Sequence, residues 1–186
     1  MPSPHAPSLD ETPEYGRSDV VIRPICKEDQ AAILEIYQQG IESGNATFTA
    51  QAPDWAGWDR GHLEPCRLVA TIAGDVVGWA ALSAYSSRDV YRGVAELSIY
   101  IANQAKGRHV GTLLLGHLVD LSEKEGFWTL QAGIFADNVA SIKLHEKFGF
   151  RLVGIRERIA QMSHGPNKGR WRDVSLYERR SLITGQ

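Results

Sequence analysis

Glu96, and the turn that begins ten residues after it, are the parts of this sequence best suited to chemistry. Ala95, Leu97, Ile99 and Ile101 alternate with Glu96, Ser98 and Tyr100, which is the period of a strand. A carboxylate on a mostly apolar strand is expected to be desolvated, which raises its pKa toward the range of a general base. The turn Lys106-Gly107-Arg108-His109-Val110-Gly111 then leads into a helix and leaves backbone N–H groups free at its start. With Lys106 and Arg108 beside it, such a turn is an anion cradle, most often for phosphate. A base beside a phosphate seat points to group transfer from a phosphorylated cofactor. Farther on, Asn138 and His145 are two helical turns apart and share one side of a helix. An imidazole can donate a proton at neutral pH if its pKa allows.

These residues need elements to hold them. Asp19–Ile25 reads as a first strand and Lys27–Ser43 as a helix, with Ile33, Ile36, Tyr37 and Ile41 spaced for one buried face. Glu28 and Asp29 sit where the helix dipole favours acids, and Gly44 stops the helix. Pro53–His62 predicts a second, short helix in which Trp55 and Trp58 share a face. Arg67–Ile72 and Val76–Leu82 form a hairpin across Ala73-Gly74-Asp75, where Gly supplies the positive φ. Tyr85–Gly93 is a polar loop.

After the strand of Glu96, Val110, Leu113, Leu114, Leu118 and Leu121 predict an amphipathic helix that Gly126 ends. Phe127–Phe135 is a central strand. Asn138 caps a helix running to Phe148, and Gly149 closes it. A strand begins at Phe150–Gly154, Ser163–Arg170 is turn-rich, and Trp171–Tyr177 is the last strand. Hairpins come first and βα crossovers follow. The expected architecture is α/β of the α+β type, with a mixed central sheet of about six to seven strands and about four helices on its two faces.

The chain has 186 residues, 43% of them apolar and 23% charged, enough for one domain with a core. We expect that domain over residues 19–186. Met1–Ser18, with four prolines and few large apolar groups, reads as a disordered or draped tail. A net charge of −2 gives no reason to expect nucleic acid or an anionic membrane. No apolar run nears the roughly 18 residues of a membrane span, and the N-terminus lacks the basic and apolar blocks of a secretory signal. Two cysteines, Cys26 and Cys66, make no disulfide framework and favour a reducing cytoplasm. His5, His62, His109, His117 and His164 show no metal-ligand spacing, so no metal is expected.

The element order, the turn after an alternating strand, and the run Asn138–Phe150 (NVASIKLHEKFGF) resemble the GNAT acetyltransferase superfamily from Val20 onward. Arg88-Asp89-Val90-Tyr91 before Glu96, and Gly169-Arg170-Trp171-Arg172-Asp173-Val174 near the end, are similar to its phosphinothricin N-acetyltransferase group. The resemblance implies the GNAT fold, acetyl-CoA as co-substrate, a small-molecule amine acceptor and a homodimer. Its phosphate turn has the pattern Gln/Arg-x-x-Gly-x-Gly/Ala. Here Lys106 stands in the first place and His109 where the first Gly is usual, so His109 is expected to avoid a Gly-only conformation.

The resemblance also implies residue roles. Glu96 is the base and His145 the acid that protonates the departing thiolate. Ile99, Tyr100 and Ile101 offer strand N–H groups to the thioester, while Lys106, Gly107, Arg108, His109, Val110, Gly111 and Thr112 cradle the pyrophosphate. Asn138 bonds the pantetheine arm. Arg88 and Tyr91 hold the acceptor, Arg88 by its carboxylate. Thr47 and Phe48 wall the acceptor pocket, and Trp171 and Asp173 shape it or a subunit contact. The expected reaction is N-acetylation of a small amino acid or a toxic glutamate analogue such as phosphinothricin or methionine sulfoximine. Three readings compete: acetylation of a protein N-terminus, which needs an open groove; acetylation of a polyamine, which needs an acidic pocket; and a CoA-binding module without catalysis.

Overall fold

The structure is a computed structural model that describes residues 19–186. The tail expected over Met1–Ser18 lies outside the described residues. The elements follow the predicted order: β1 Val20–Pro24, α1 Gln30–Glu42, α2 Trp55–Gly61, β2 Arg67–Ile72, β3 Asp75–Ala84, β4 Val94–Ile101, α3 Val110–Lys124, β5 Thr129–Phe135, α4 Val139–Lys147, β6 Arg151–Gln161 and β7 Trp171–Arg180. One seven-stranded sheet has the order β1-β2-β3-β4-β5-β7-β6. Only β4 and β5 pair in parallel; the other neighbours are antiparallel.

Alternation along the central strands feeds two cores, as a sheet covered on both faces requires. Leu68, Ala70, Ala80, Leu82, Ala95 and Leu97 pack with Val110, Leu114, Leu115 and Leu118 of α3, and the half-buried Ile142 and Leu144 of α4 join them. On the opposite face, Val69, Trp79 and Ala81 pack with Ile33 and Ile36 of α1 and Trp58 of α2. Trp55 and Trp58 do share a face, with their rings stacked 4.8 Å apart. Asp29, expected to serve the start of α1 by its charge alone, is buried. It accepts two hydrogen bonds from the Arg23 guanidinium at 2.7 and 2.8 Å and one from the Cys26 N–H at 2.8 Å. The β2–β3 turn uses positive φ at both Ala73 (51°) and Gly74 (93°), as a two-residue turn matched to strand twist demands.

The feature that makes room for a site is a fork. β4 and β5 pair only at Val94↔Thr129, Ala95↔Leu130 and Glu96↔Gln131. Both strands then run on, β4 to Ile101 and β5 to Phe135, without pairing. Val94 O accepts from Tyr85 N–H, and Ala102 N–H donates to Val77 O, so the even-numbered residues of β4 turn their backbone groups toward β3. By strand alternation the N–H groups of Leu97, Ile99 and Ile101 face the gap.

Candidate active site

Two adjoining cavities fill the fork. The first, of about 520 Å³, is lined by Glu96 and Ile99 of β4, Phe135 of β5, His145 of α4, Arg156 and Ile159 of β6, and Tyr37, Thr47 and Phe48 from α1 and the loop after it. The second, of about 610 Å³, is lined by Ile99, Tyr100 and Ile101, by the turn from Lys106 to Thr112 except Arg108, and by Asn138 and Leu144. Ala46, Ile99, Tyr100, Asn138 and Ser141 line both. A molecule lying along the second cavity would therefore reach the first beside Ile99.

The second cavity ends on the start of α3. The first helical bond here is from Leu113 N–H to His109 O. The N–H groups of Gly107, His109, Val110, Gly111 and Thr112 have no partner among the described residues. No side chain caps this end. Five free donors at the positive end of a fifteen-residue helix fit a pyrophosphate. His109 adopts a left-handed conformation, φ 60° and ψ 8°, which is not a Gly-only one. That region is open to side chains, and His enters it more readily than most. Gly107 is also left-handed, at φ 79°, with open space where a Cβ would point. Of the two flanking cations, Lys106 lines the cavity and donates to Asn103 Oδ1 at 2.7 Å. Arg108 lines neither cavity and pairs with Asp19 at 2.9 Å.

Glu96 is the last paired residue before the fork opens, so its position follows from where the β4–β5 ladder stops. The desolvation expected for it is absent, because its side chain is exposed at the cavity rim.

His145 is the buried titratable group of the site, with 2% of its surface exposed. Its Nδ1 lies 2.7 Å from Ser141 O. A carbonyl only accepts, so Nδ1 carries the hydrogen. Burial pushes the imidazole below its ordinary value of 6.5, the Ser141 carbonyl opposing this only in part, so the ring is neutral. Nε2 therefore holds a bare lone pair, and it is buried with no hydrogen-bond partner. The role expected for His145 is proton donor to a thiolate; in this state Nε2 is an acceptor, so it must first take up the proton that it would give.

Asn138 caps α4 by accepting from Ser141 N–H at 3.2 Å, and its Nδ2 donates to Asn45 O at 2.9 Å. Phe48 meets Phe135 edge-on with centroids 4.9 Å apart. Arg88 and Tyr91, expected at the acceptor, and Trp171 and Asp173, expected there or at a subunit contact, line neither cavity. Arg88 lies over the Tyr91 ring at 5.4 Å, Trp171 is 57% exposed, and Asp173 accepts from Arg158 N–H at 2.7 Å. Arg88 and Tyr91 stand in the loop before β4, and the gap between β4 and β5 opens beyond Glu96.

Sequence reasoning passed over Arg172, which is 3% exposed. Its guanidinium donates to Gly44 O at 2.8 Å, Asn45 Oδ1 at 2.7 Å and Asp137 Oδ1 at 2.6 Å, and it lies 4.0 Å over the Phe135 ring. It ties the loop carrying Thr47 and Phe48 to the end of β5. The signal was an arginine at an inward position of an alternating strand, where an apolar residue is the rule. Among the described residues no group of three or more His, Cys, Asp or Glu is placed to hold a metal ion.

The family model described as acetyltransferase (GNAT) family matches residues 31–150. Phosphinothricin N-acetyltransferase of Streptomyces coelicolor is 34% identical over 172 residues, covering 88% of this chain and 98% of that protein. The L-methionine sulfoximine/L-methionine sulfone acetyltransferase of Salmonella typhimurium is 32% identical, covering 86% of this chain and 93% of that protein. A crystal structure of a GNAT superfamily phosphinothricin acetyltransferase from Sinorhizobium meliloti, in complex with AcCoA, superposes with a TM-score of 0.79 at 29% identity, covering 90% of this chain and 91% of that one. With a family match over most of the sheet and a relative aligned along almost its whole length, the chain belongs to the acetyltransferase (GNAT) family, and it is an acetyltransferase.

Proposed function

We propose that this enzyme moves the acetyl group of acetyl-CoA to the amine of a small α-amino acid or a glutamate analogue of the phosphinothricin and methionine sulfoximine type. The observation that carries this reading is the pair of cavities meeting at Ile99, one ending in the anion cradle and the other holding Glu96. The substrates in the names of the Streptomyces and Salmonella relatives support the acceptor class.

Acetyl-CoA supplies an activated acyl group on a thiol leaving group. The free N–H groups from Gly107 to Thr112 bind its pyrophosphate, and Asn138 borders its arm where the two cavities join. Ile99 N–H, facing the gap, polarises the thioester carbonyl. Glu96 takes one proton from the acceptor ammonium, which frees the nitrogen lone pair. The nitrogen bonds to the carbonyl carbon as the carbon–sulfur bond breaks. His145 Nε2 takes the second proton from that nitrogen and returns it to the sulfur, so the chain ends the cycle as it began, apart from the proton on Glu96, which passes to water. Holding both substrates in one fork supplies the rest.

Direct transfer is favoured over a cysteine-bound acetyl. Cys66 is buried in the core, and burial pushes its thiol up to about 12. Cys26 lines neither cavity.

The single sheet from Val20 to Arg180 supports one catalytic domain over residues 19–186. The sheet edge β6 exposes Leu152, Val153, Ile155 and Ile159, which supports a homodimer. The two free cysteines fit a reducing cytoplasm.

Thiol release with acetyl-CoA and a panel of free amino acids, peptides and polyamines tests the acceptor class. Activity confined to free α-amino acids is expected. In the same assay Glu96→Gln should lose activity most at low pH, where the ammonium must be deprotonated. Near wild-type turnover of that variant across pH would remove Glu96 from the mechanism.

A further inference from the structure

We infer that Gln39 of α1 is a positioning residue for acetyl-CoA, acting through Asn103 on Lys106 of the cradle turn. The inference concerns the donor alone, so it holds for any acceptor amine. CoA is a polyanion, and the cations offered to it are few. Among the described residues Lys106 is the one lysine or arginine lining the second cavity, and no acid lines it. Lys106 Nζ donates to Asn103 Oδ1 at 2.7 Å. An ammonium has three donors, so two are left for phosphate oxygens. A lysine stem has many rotamers, and this bond selects among them.

Asn103 needs an anchor of its own. It opens a single 3-10 turn, Asn103–Ala105, whose first N–H groups find no partner inside the turn. The residue before it, Ala102, makes no side-chain cap. The acceptor comes from another element: Gln39 Oε1 takes the Asn103 N–H at 2.9 Å, across 64 positions of sequence. Glu35, one turn back on α1, accepts from Gln39 Nε2 at 3.5 Å, which leaves the amide oxygen for Asn103. The next residue explains how the helix comes so near. A Cβ on Gly40 would lie 2.5 Å from the Tyr100 ring, so α1 rests on β4 through a glycine. Gln39 lines neither cavity, whereas Tyr37 lines the first and Gly40 and Ser43 the second. One helix therefore supports both substrates, and Gln39 is its link to the phosphate end.

The test is isothermal titration of the full chain with acetyl-CoA, with no acceptor present. Gln39→Met keeps the length of the side chain and removes its acceptor oxygen. It should weaken acetyl-CoA binding about 3- to 10-fold, the size of one lost hydrogen bond. Asn103→Ala keeps the backbone bond to Gln39 but frees Lys106, and should bind about as weakly as Gln39→Met. Lys106→Met should also bind more weakly than wild type. In the Lys106→Met background, Gln39→Met should change the affinity by less than about twofold, because its route to the ligand is already cut. Gln39 is half-buried and Asn103 and Lys106 are exposed, so melting of each variant should stay within about 3 °C of wild type. Wild-type affinity in Gln39→Met, Asn103→Ala or Lys106→Met overturns the assignment. An equal loss from Gln39→Met with and without Lys106 overturns it too, and assigns Gln39 to the support of α1 as a whole.

Discussion

Replacing Arg172 by Ala should cost the fold about 3–4 kcal/mol and loosen one wall of the first cavity. The magnitude follows from what each partner of Arg172 does once the guanidinium is gone. Gly44 O keeps a second donor, Asn167 Nδ2 at 3.0 Å, so its loss is small. Asp137 has a side chain 58% exposed and rehydrates. Asn45 Oδ1 loses its charged donor, and the Phe135 ring loses a cation 4.0 Å above it along with the packing of the arginine stem. Hydrogen bonds from a charged donor are worth about 1.5–3 kcal/mol each. The one bond lost outright, about 1.5–3 kcal/mol, and the buried cation–π contact, about 1–2 kcal/mol, together bracket the stated range. At about 2–4 °C per kcal/mol for a chain of this size, melting should fall by roughly 6–16 °C.

The variant should also raise the acceptor KM more than the acetyl-CoA KM, since Thr47 and Phe48 line the first cavity only. Arg172→Lys keeps the charge but cannot reach three acceptors at once, and should recover less than half of the loss. Thermal melts and two-substrate kinetics read both effects. A melting change under 3 °C for Arg172→Ala with an unchanged acceptor KM would refute the reasoning.

His109→Gly should gain about 1 kcal/mol and melt about 2–4 °C higher, because glycine removes the left-handed penalty at φ 60°. Its acetyl-CoA affinity should be unchanged or better, since the cradle donates through backbone N–H groups; isothermal titration decides this. Stability should also fall with acid in two steps. His145 and His62 are both held below 6.5, chiefly by burial. The unfolded chain therefore binds more protons as pH drops below about 6.5, and the folded state loses ground there. Asp29 is held at about 2 against an ordinary 3.8, first by its hydrogen bonds from Arg23, so its contribution is present above 3.8 and disappears as pH falls toward 2. After allowance for the exposed part of Arg23 that second step is worth about 1–2 kcal/mol. Denaturant titrations from pH 8 to pH 2 check both steps, and His145→Gln should flatten the first.

The elements were legible because their periods are strong and their ends are marked. Arg67–Ile72 is a strand over the predicted span, and Asn138 and Gly149 bracket α4 as their chemistry suggests. The cradle was legible for the same reason: a glycine-bearing turn between an alternating strand and an apolar helix leaves free N–H groups whatever the tertiary structure. The conformation of His109 was not. A left-handed residue differs from its neighbours in one dihedral, and no spacing of side-chain types records it. The proton on His145 was hidden too, since it depends on a carbonyl of the same helix and on burial that several elements create together.

The acceptor side shows what a one-dimensional reading loses. The family resemblance and the fit of a guanidinium to a carboxylate pointed to Arg88, eight residues before Glu96. Arg88 stands in the loop before β4 and lines neither cavity, and the parallel ladder between β4 and β5 stops at Glu96. Arg156 is sixty residues away from Glu96 in sequence and arrives at the same cavity because β6 bulges. The strand that carries it looked unremarkable, since two added residues keep the parity of the alternation. What the sequence did hold was Asp173, an acid inside a strand, which binds a backbone N–H across the sheet instead of a ligand. If that bond sets how Arg156 and Ile159 meet the first cavity, Asp173→Ala should raise the acceptor KM more than the acetyl-CoA KM while every side chain lining that cavity is still present. An unchanged acceptor KM in Asp173→Ala would mean that the bulge holds itself.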